Sequence, residues 1–234
     1  MEKAIHNRIG YFFILLLAIS FLGFYPTYLT HFPTFSGFTS AHHFHGLMAL
    51  LWILLLIVQP FLIRAKQNEL HRQVGKLGYI IMPLLVYSLF WVSKVTYFKN
   101  LQTMSEAEAL AILPNGTVEV FDFSILFALG MIYRKNTAYH LRFLASTGLM
   151  MLGPGLGRFL ITTFGLPFPV VLLFIILSTT GIGLIWMILD IRNKKSAFPM
   201  AIFILLGISA GFINANSSSE WWQSFGKWWV NTLF

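Results

Sequence analysis

Long apolar runs separated by short polar connections set the pattern of this chain. Seven runs reach or approach the ~20 residues that cross a bilayer at ~1.5 Å rise per residue. They lie at 9–29, 41–63, 77–97, 119–133, 141–164, 167–191 and 198–215. The fourth is the shortest and opens with two acids, Glu119 and Asp122. The pattern predicts an all-α, polytopic membrane protein: a seven-helix transmembrane domain over residues 1–215, then a tail over 216–234. The first run is too long for the core of a cleaved signal peptide and reads as a retained helix. The connection at 100–118 predicts a short surface helix around 105–112, followed by a Pro114-Asn115-Gly116 turn. In the tail, Trp221, Phe225, Trp228 and Trp229 recur at helical spacing. They predict an amphipathic helix in the membrane interface, where indole rings sit well.

Charge gives the pattern a direction. Basic residues cluster before the first run (Lys3, Arg8) and after the second (Arg64, Lys66, Arg72, Lys76). They cluster again after the fourth (Arg134, Lys135, Arg142) and after the sixth (Arg192, Lys194, Lys195), while the first and fifth connections carry none. With seven spans every basic cluster falls on one side; with six, one would fall outside. The positive-inside rule therefore predicts a cytoplasmic N-terminus and an external C-terminus. Composition agrees, since 57% of the 234 residues are hydrophobic and only 10% are charged. A soluble domain needs roughly 25% charged residues. The net charge of +8 is explained by those loop clusters, and nucleic acid is excluded as a partner. The chain has no cysteine, which excludes disulfides, thiolate metal sites and cysteine nucleophiles.

The orientation sorts the polar residues into two groups. The external group holds His31, His42, His43, His45, Lys94, Glu119, Asp122 and Arg158; the cytoplasmic group holds Gln59, His71, Arg72, His140, Arg142 and Asp190. His45 and His71 would be about 39 Å apart on a continuous helix, so they cannot share one metal. Helical phase sorts further. His45, Trp52 and Gln59 form one stripe, with His42 a turn above His45. His140, Leu144, Thr147, Met151, Pro154 and Arg158 share a face of the fifth span. Polar side chains at membrane depth face the bundle interior, so the second, fourth and fifth spans should converge.

Those residue types point to candidate chemistry. His42 and His45 on one turn, with Asp122 from another helix, could hold a Zn, Fe or Cu ion, and Glu119 could serve as general base. Arg158 is expected to pair with Asp122. His71 and His140 could carry haem b, with Arg72 and Arg142 at its propionates and Gln59 a turn inside. Lys94 reads as a lysine reaching to the interface. Gly153, Gly155 and Gly157 around Pro154 mark a kinked, closely packed helix. His6, His31 and His43 read as bystanders.

One stretch carries a resemblance. His45-Gly46, then Gln59, then Leu70-His71-Arg72 with Gly75-Lys76 resembles a bacterial group of predicted membrane proteins, domain-of-unknown-function family 2306. His140-Leu141-Arg142-Phe143-Leu144 with Arg158 matches its later motif more loosely, Leu141 standing where arginine is usual and Phe143-Leu144 where Trp-Met is usual. The resemblance spans residues 41–158 and implies a helical protein of the bacterial cytoplasmic (inner) membrane. It is distantly similar to transmembrane b-type cytochromes, which use histidine pairs on facing helices. The leading expectation is a metal- or haem-binding membrane redox protein, with a small lipophilic substrate or quinone as partner beside the lipid bilayer. A metal-dependent membrane hydrolase or hydroxylase, and a cofactor-free transporter or sensor of small molecules or protons, stand beside it.

Overall fold

The computed structural model describes residues 2–234, with side chains from residue 8 onward; the side chains of Lys3 and His6 fall outside that description. Every regular element among the described residues is helical. The order is α1 (Glu2–Thr27), a 3-10 turn (Leu29–His31), α2 (Ser40–Arg64), α3 (Asn68–Gly75), α4 (Gly78–Asn100) and α5 (Glu106–Ile112). There follow α6 (Pro114–Ile132), α7 (Thr137–Phe164), α8 (Phe168–Arg192), α9 (Phe198–Ala215) and α10 (Glu220–Leu233). Among the described residues seven stretches are long and apolar enough to cross a membrane, α3 with α4 and α5 with α6 each counting as one.

Local chemistry sets the helix starts, and one of them differs from the sequence reading. Ser105 caps α5, accepting the Glu108 N–H (3.3 Å) while its own N–H donates to the Glu108 carboxylate (2.8 Å), a reciprocal box typical of helix starts. The expected turn at Pro114-Asn115-Gly116 is instead the first turn of α6. Proline suits a first helical position because its missing N–H has no partner to lose there. Gly116 serves packing, since a Cβ on it would fall 1.8 Å from Ser93 Oγ of α4. The basic connection after α2 holds the short helix α3, with Glu69 bound to Arg72 at 2.5 Å on its exposed face.

Five helices close a ring in which α1 packs on α2, α2 on α4, α4 on α6, α6 on α7, and α7 back on α1. The pair α8–α9 lies outside it, against α7 and α6. Inside the ring sit Phe13 and Leu16 of α1, Trp52 and Leu56 of α2, Met82 and Leu85 of α4, and Phe123 of α6. The α1–α7 seam is backbone on backbone: a Cβ on Gly155 would fall 2.6 Å from Ser20 Cα, and one on Gly23 would fall 1.9 Å from the Gly155 carbonyl oxygen. Small residues let membrane helices approach this closely. The glycines around Pro154 thus do the close packing expected of them.

The tail folds back onto the bundle. Trp222 and Trp229 are buried with Tyr97 and Leu110 in a second apolar cluster. Trp222 Nε1–H donates to the Leu110 carbonyl at 2.8 Å. The buried stripe is therefore Trp222, Phe225 and Trp229, while Trp221 and Trp228 stay exposed. Lys94 donates to the main-chain oxygen of Phe234. That replaces the expected reach to the interface, because α10 brings an acceptor within range of the ammonium.

Candidate functional site

The site builds from the middle of the ring outward. Trp52 of α2 is 1% exposed, and its Nε1–H donates to Thr147 Oγ1 of α7 at 3.0 Å. Phe127 of α6 meets the indole edge-on at 5.7 Å. The polar stripes of the second and fifth spans thus meet, and the fourth joins them, as phase predicts. This aromatic plug divides the ring interior into two polar ends.

At one end α2 offers His45, α4 Ser88, α6 Glu119 and Asp122, and α7 Arg158. Ser88 donates its single hydroxyl hydrogen to the Leu85 carbonyl (2.6 Å). It therefore accepts from His45 Nδ1–H (3.0 Å), which leaves Nε2 of a neutral His45 with a bare lone pair. The Arg158 guanidinium lies 4.3 Å from the centre of the Phe24 ring and donates to the Pro154 carbonyl at 3.2 Å. It sits within electrostatic range of Glu119, His42 and His45. Glu119 also feels Asp122. Among the described residues neither carboxylate makes an ion pair with Arg158 within 4.0 Å. Asp122 is 7% exposed.

The expected pairing of Asp122 with Arg158 is corrected here: the carboxylate in electrostatic range of the guanidinium is Glu119. Arg158 instead stacks over Phe24 and bonds the Pro154 carbonyl of its own helix. The expected metal ligands fare similarly. His42 Nδ1 accepts both the Thr39 N–H (3.2 Å) and its hydroxyl (2.9 Å), completing the α2 cap. That fixes its proton on Nε2 and leaves no lone pair for a metal. Among the described residues no group of three His, Cys, Asp or Glu is arranged to hold a metal ion. His42, His45 and Asp122 therefore do not fit as a metal set. His43 bonds the Tyr28 hydroxyl, and His31 packs edge-on to Phe38 at 5.4 Å. His31 lies in the aromatic α1–α2 connection, and His43, on the first turn of α2, packs against it.

At the other end Gln59 locks α3 to α2. With its amide oxygen on the Gly75 N–H (3.1 Å), its NH₂ donates to the His71 carbonyl (3.2 Å) and to His71 Nδ1. His71 then carries its proton on Nε2. His140 Nδ1 donates to the Gly130 carbonyl at 2.8 Å, which does leave Nε2 bare. Two axial imidazoles on one iron would both need a bare nitrogen. In this arrangement the bare nitrogen of the pair belongs to His140. Arg72 is held by Glu69 on the exposed face of α3. Arg142 is 1% exposed and makes a two-pronged ion pair with fully buried Asp190 of α8, both contacts at 2.6 Å.

No protein-family model, curated protein or solved structure matches the chain. The likeness drawn above therefore rests on its motif residues alone. The geometry gives part of that motif a physical sense: Gln59, His71 and Gly75 are one hydrogen-bonded clamp. A Cβ on Gly75 would touch the Gln59 amide at 3.6 Å. Sequence reasoning missed Ser88, because a lone hydroxyl in an apolar run has no periodic signal; it put Thr147 on the inward face of the fifth span without its partner.

Proposed function

We propose that the protein is a cofactor-free carrier or sensor of a small polar solute in the bacterial cytoplasmic membrane. Its solute site is the His45 end of the five-helix ring, which the distribution of basic connections puts on the external side. One observation carries the reading. Partly buried Glu119 and exposed Arg158 stand within electrostatic range of one another without an ion pair between them. Opposite charges in apolar surroundings gain by closing on one another, and ionisable groups at membrane depth mark ligand or ion paths. The open pair leaves guanidinium donors and carboxylate acceptors for a third group. The fitting solute is small and carries an acidic group for Arg158 and a hydrogen-bond donor for Glu119. His45 Nε2 and Asp122 supply proton-accepting atoms beside it.

The test is a thermal-stability screen of the purified full chain with EDTA present, using small carboxylic acids, amino acids and amines as probes. An amino acid or carboxylic acid should raise the unfolding midpoint of the unmodified protein and leave Arg158→Ala unmoved. A hit that stabilises both equally would overturn the assignment to Arg158. A Soret band, or stoichiometric metal that is lost in His45→Ala, would overturn the cofactor-free reading itself.

A further inference from the structure

A second site lies at the opposite end of the molecule, outside the ring. A cavity of about 330 Å³ opens between the start of α7 and the α8–α9 connection, lined by Asn136, Tyr139, Arg142, Lys194, Lys195 and Ser196 among others. The connection is a tight turn. Lys195 N–H donates to the Asp190 carbonyl (2.8 Å) and Lys194 N–H to that of Ile191 (3.0 Å). Lys194 takes a left-handed backbone conformation, with φ of 54°. Two consecutive lysines are therefore held at one cavity wall, both exposed. Arg142 lies behind them in the lining, buried and held by Asp190 and the Ala138 carbonyl.

The polar lining completes the chemistry. Ser196 Oγ accepts the Phe198 N–H at 3.2 Å, which leaves its hydroxyl hydrogen to donate. Asn136 Oδ1 accepts the Tyr139 N–H at 3.2 Å, which leaves its NH₂ to donate. Two exposed lysine ammoniums backed by the Arg142–Asp190 pair, with added donors and space for a group of several heavy atoms, suit a tetrahedral dianion or monoanion. The cavity lies at the end of an apolar helix, α8, where a lipid headgroup would sit. We infer that this cavity is a phosphate-recognition site, taking the phosphate of an anionic phospholipid headgroup or free phosphate.

The test uses the full chain in detergent. Binding is followed by native mass spectrometry and by thermal stability with phosphatidylglycerol, with phosphatidylcholine, and with inorganic phosphate. Lys194→Ala/Lys195→Ala removes the two exposed cations. Lys66→Ala/Lys76→Ala removes the same charge from another connection at the same end of the bundle and serves as control. Phosphatidylglycerol should bind the unmodified protein and the control alike, and the pocket variant roughly tenfold more weakly. If inorganic phosphate gives the same pocket-dependent stabilisation, free phosphate is a ligand; if only the lipid does, the headgroup is. Equal weakening in both double variants would show general charge attraction and overturn the site, as would full binding by the pocket variant.

Discussion

At the scale of single residues, the interior is decided by which hydrogens are already committed. Ser88 spends its hydroxyl hydrogen on Leu85 and so sets the proton on His45. Thr147 gives its hydrogen to the Leu144 carbonyl (2.7 Å) and so can only accept from Trp52. Thr147→Val keeps the shape but leaves the indole N–H buried and unpaired. It should destabilise the detergent-solubilised protein by about 1 kcal/mol in a denaturant titration. Trp52→Phe/Thr147→Val should cost less than the sum of the two single variants. Strict additivity would mean that the bond contributes nothing. The sequence put both residues on inward stripes but held no sign of the bond between them. Trp52 fell on a stripe with His45 and Gln59, because spacing by seven is visible in a string of letters. Which hydroxyl it meets depends on a neighbouring helix and is not. The same holds for His42, whose role as a cap needs the direction of the Thr39 N–H, not the residue types alone.

Element by element, the seams differ in how tightly they are built. The α1–α7 seam tolerates no side chain, whereas a methyl group added to Gly181 of α8 would have nothing within 4 Å. Gly155→Ala should therefore lower the unfolding midpoint by an amount worth roughly 1–3 kcal/mol, the usual cost of overpacking. Gly181→Ala should be neutral or slightly stabilising, as alanine favours helix over glycine. Equal effects in a thermal melt would refute the difference between the seams. The glycine run itself was legible beforehand; its partner, Gly23 with Ser20, was not, because apolar runs carry no record of which face meets which. The start of α6 was misread because Pro-Asn-Gly signals a turn as strongly as a helix start.

For the whole molecule, apolar run length and charge spacing were enough to give seven spans and to gather His45, Glu119, Asp122 and Arg158 at one end. They could not give the ring order, since the helix sequence is silent on lateral neighbours. Orientation is directly testable, because a chain without cysteine gives a clean background for single-cysteine labelling. Ser36→Cys, between α1 and α2, should react with a membrane-impermeant maleimide in intact cells. Gln67→Cys, between α2 and α3, should react only after permeabilisation. The reverse pattern would invert the orientation and, with it, the side from which the solute site is filled.

The ring also has an order of construction. Chains are made from the N-terminus, and α1 meets its tightest partner, α7, only after three intervening spans have entered the membrane. Until then its glycine-lined face has no occupant other than lipid. The buried arginine of α7 waits in turn for Asp190 at the far end of α8. Substitutions at these two seams should therefore act during biogenesis, showing up as degraded half-built chains rather than as slow or inactive protein.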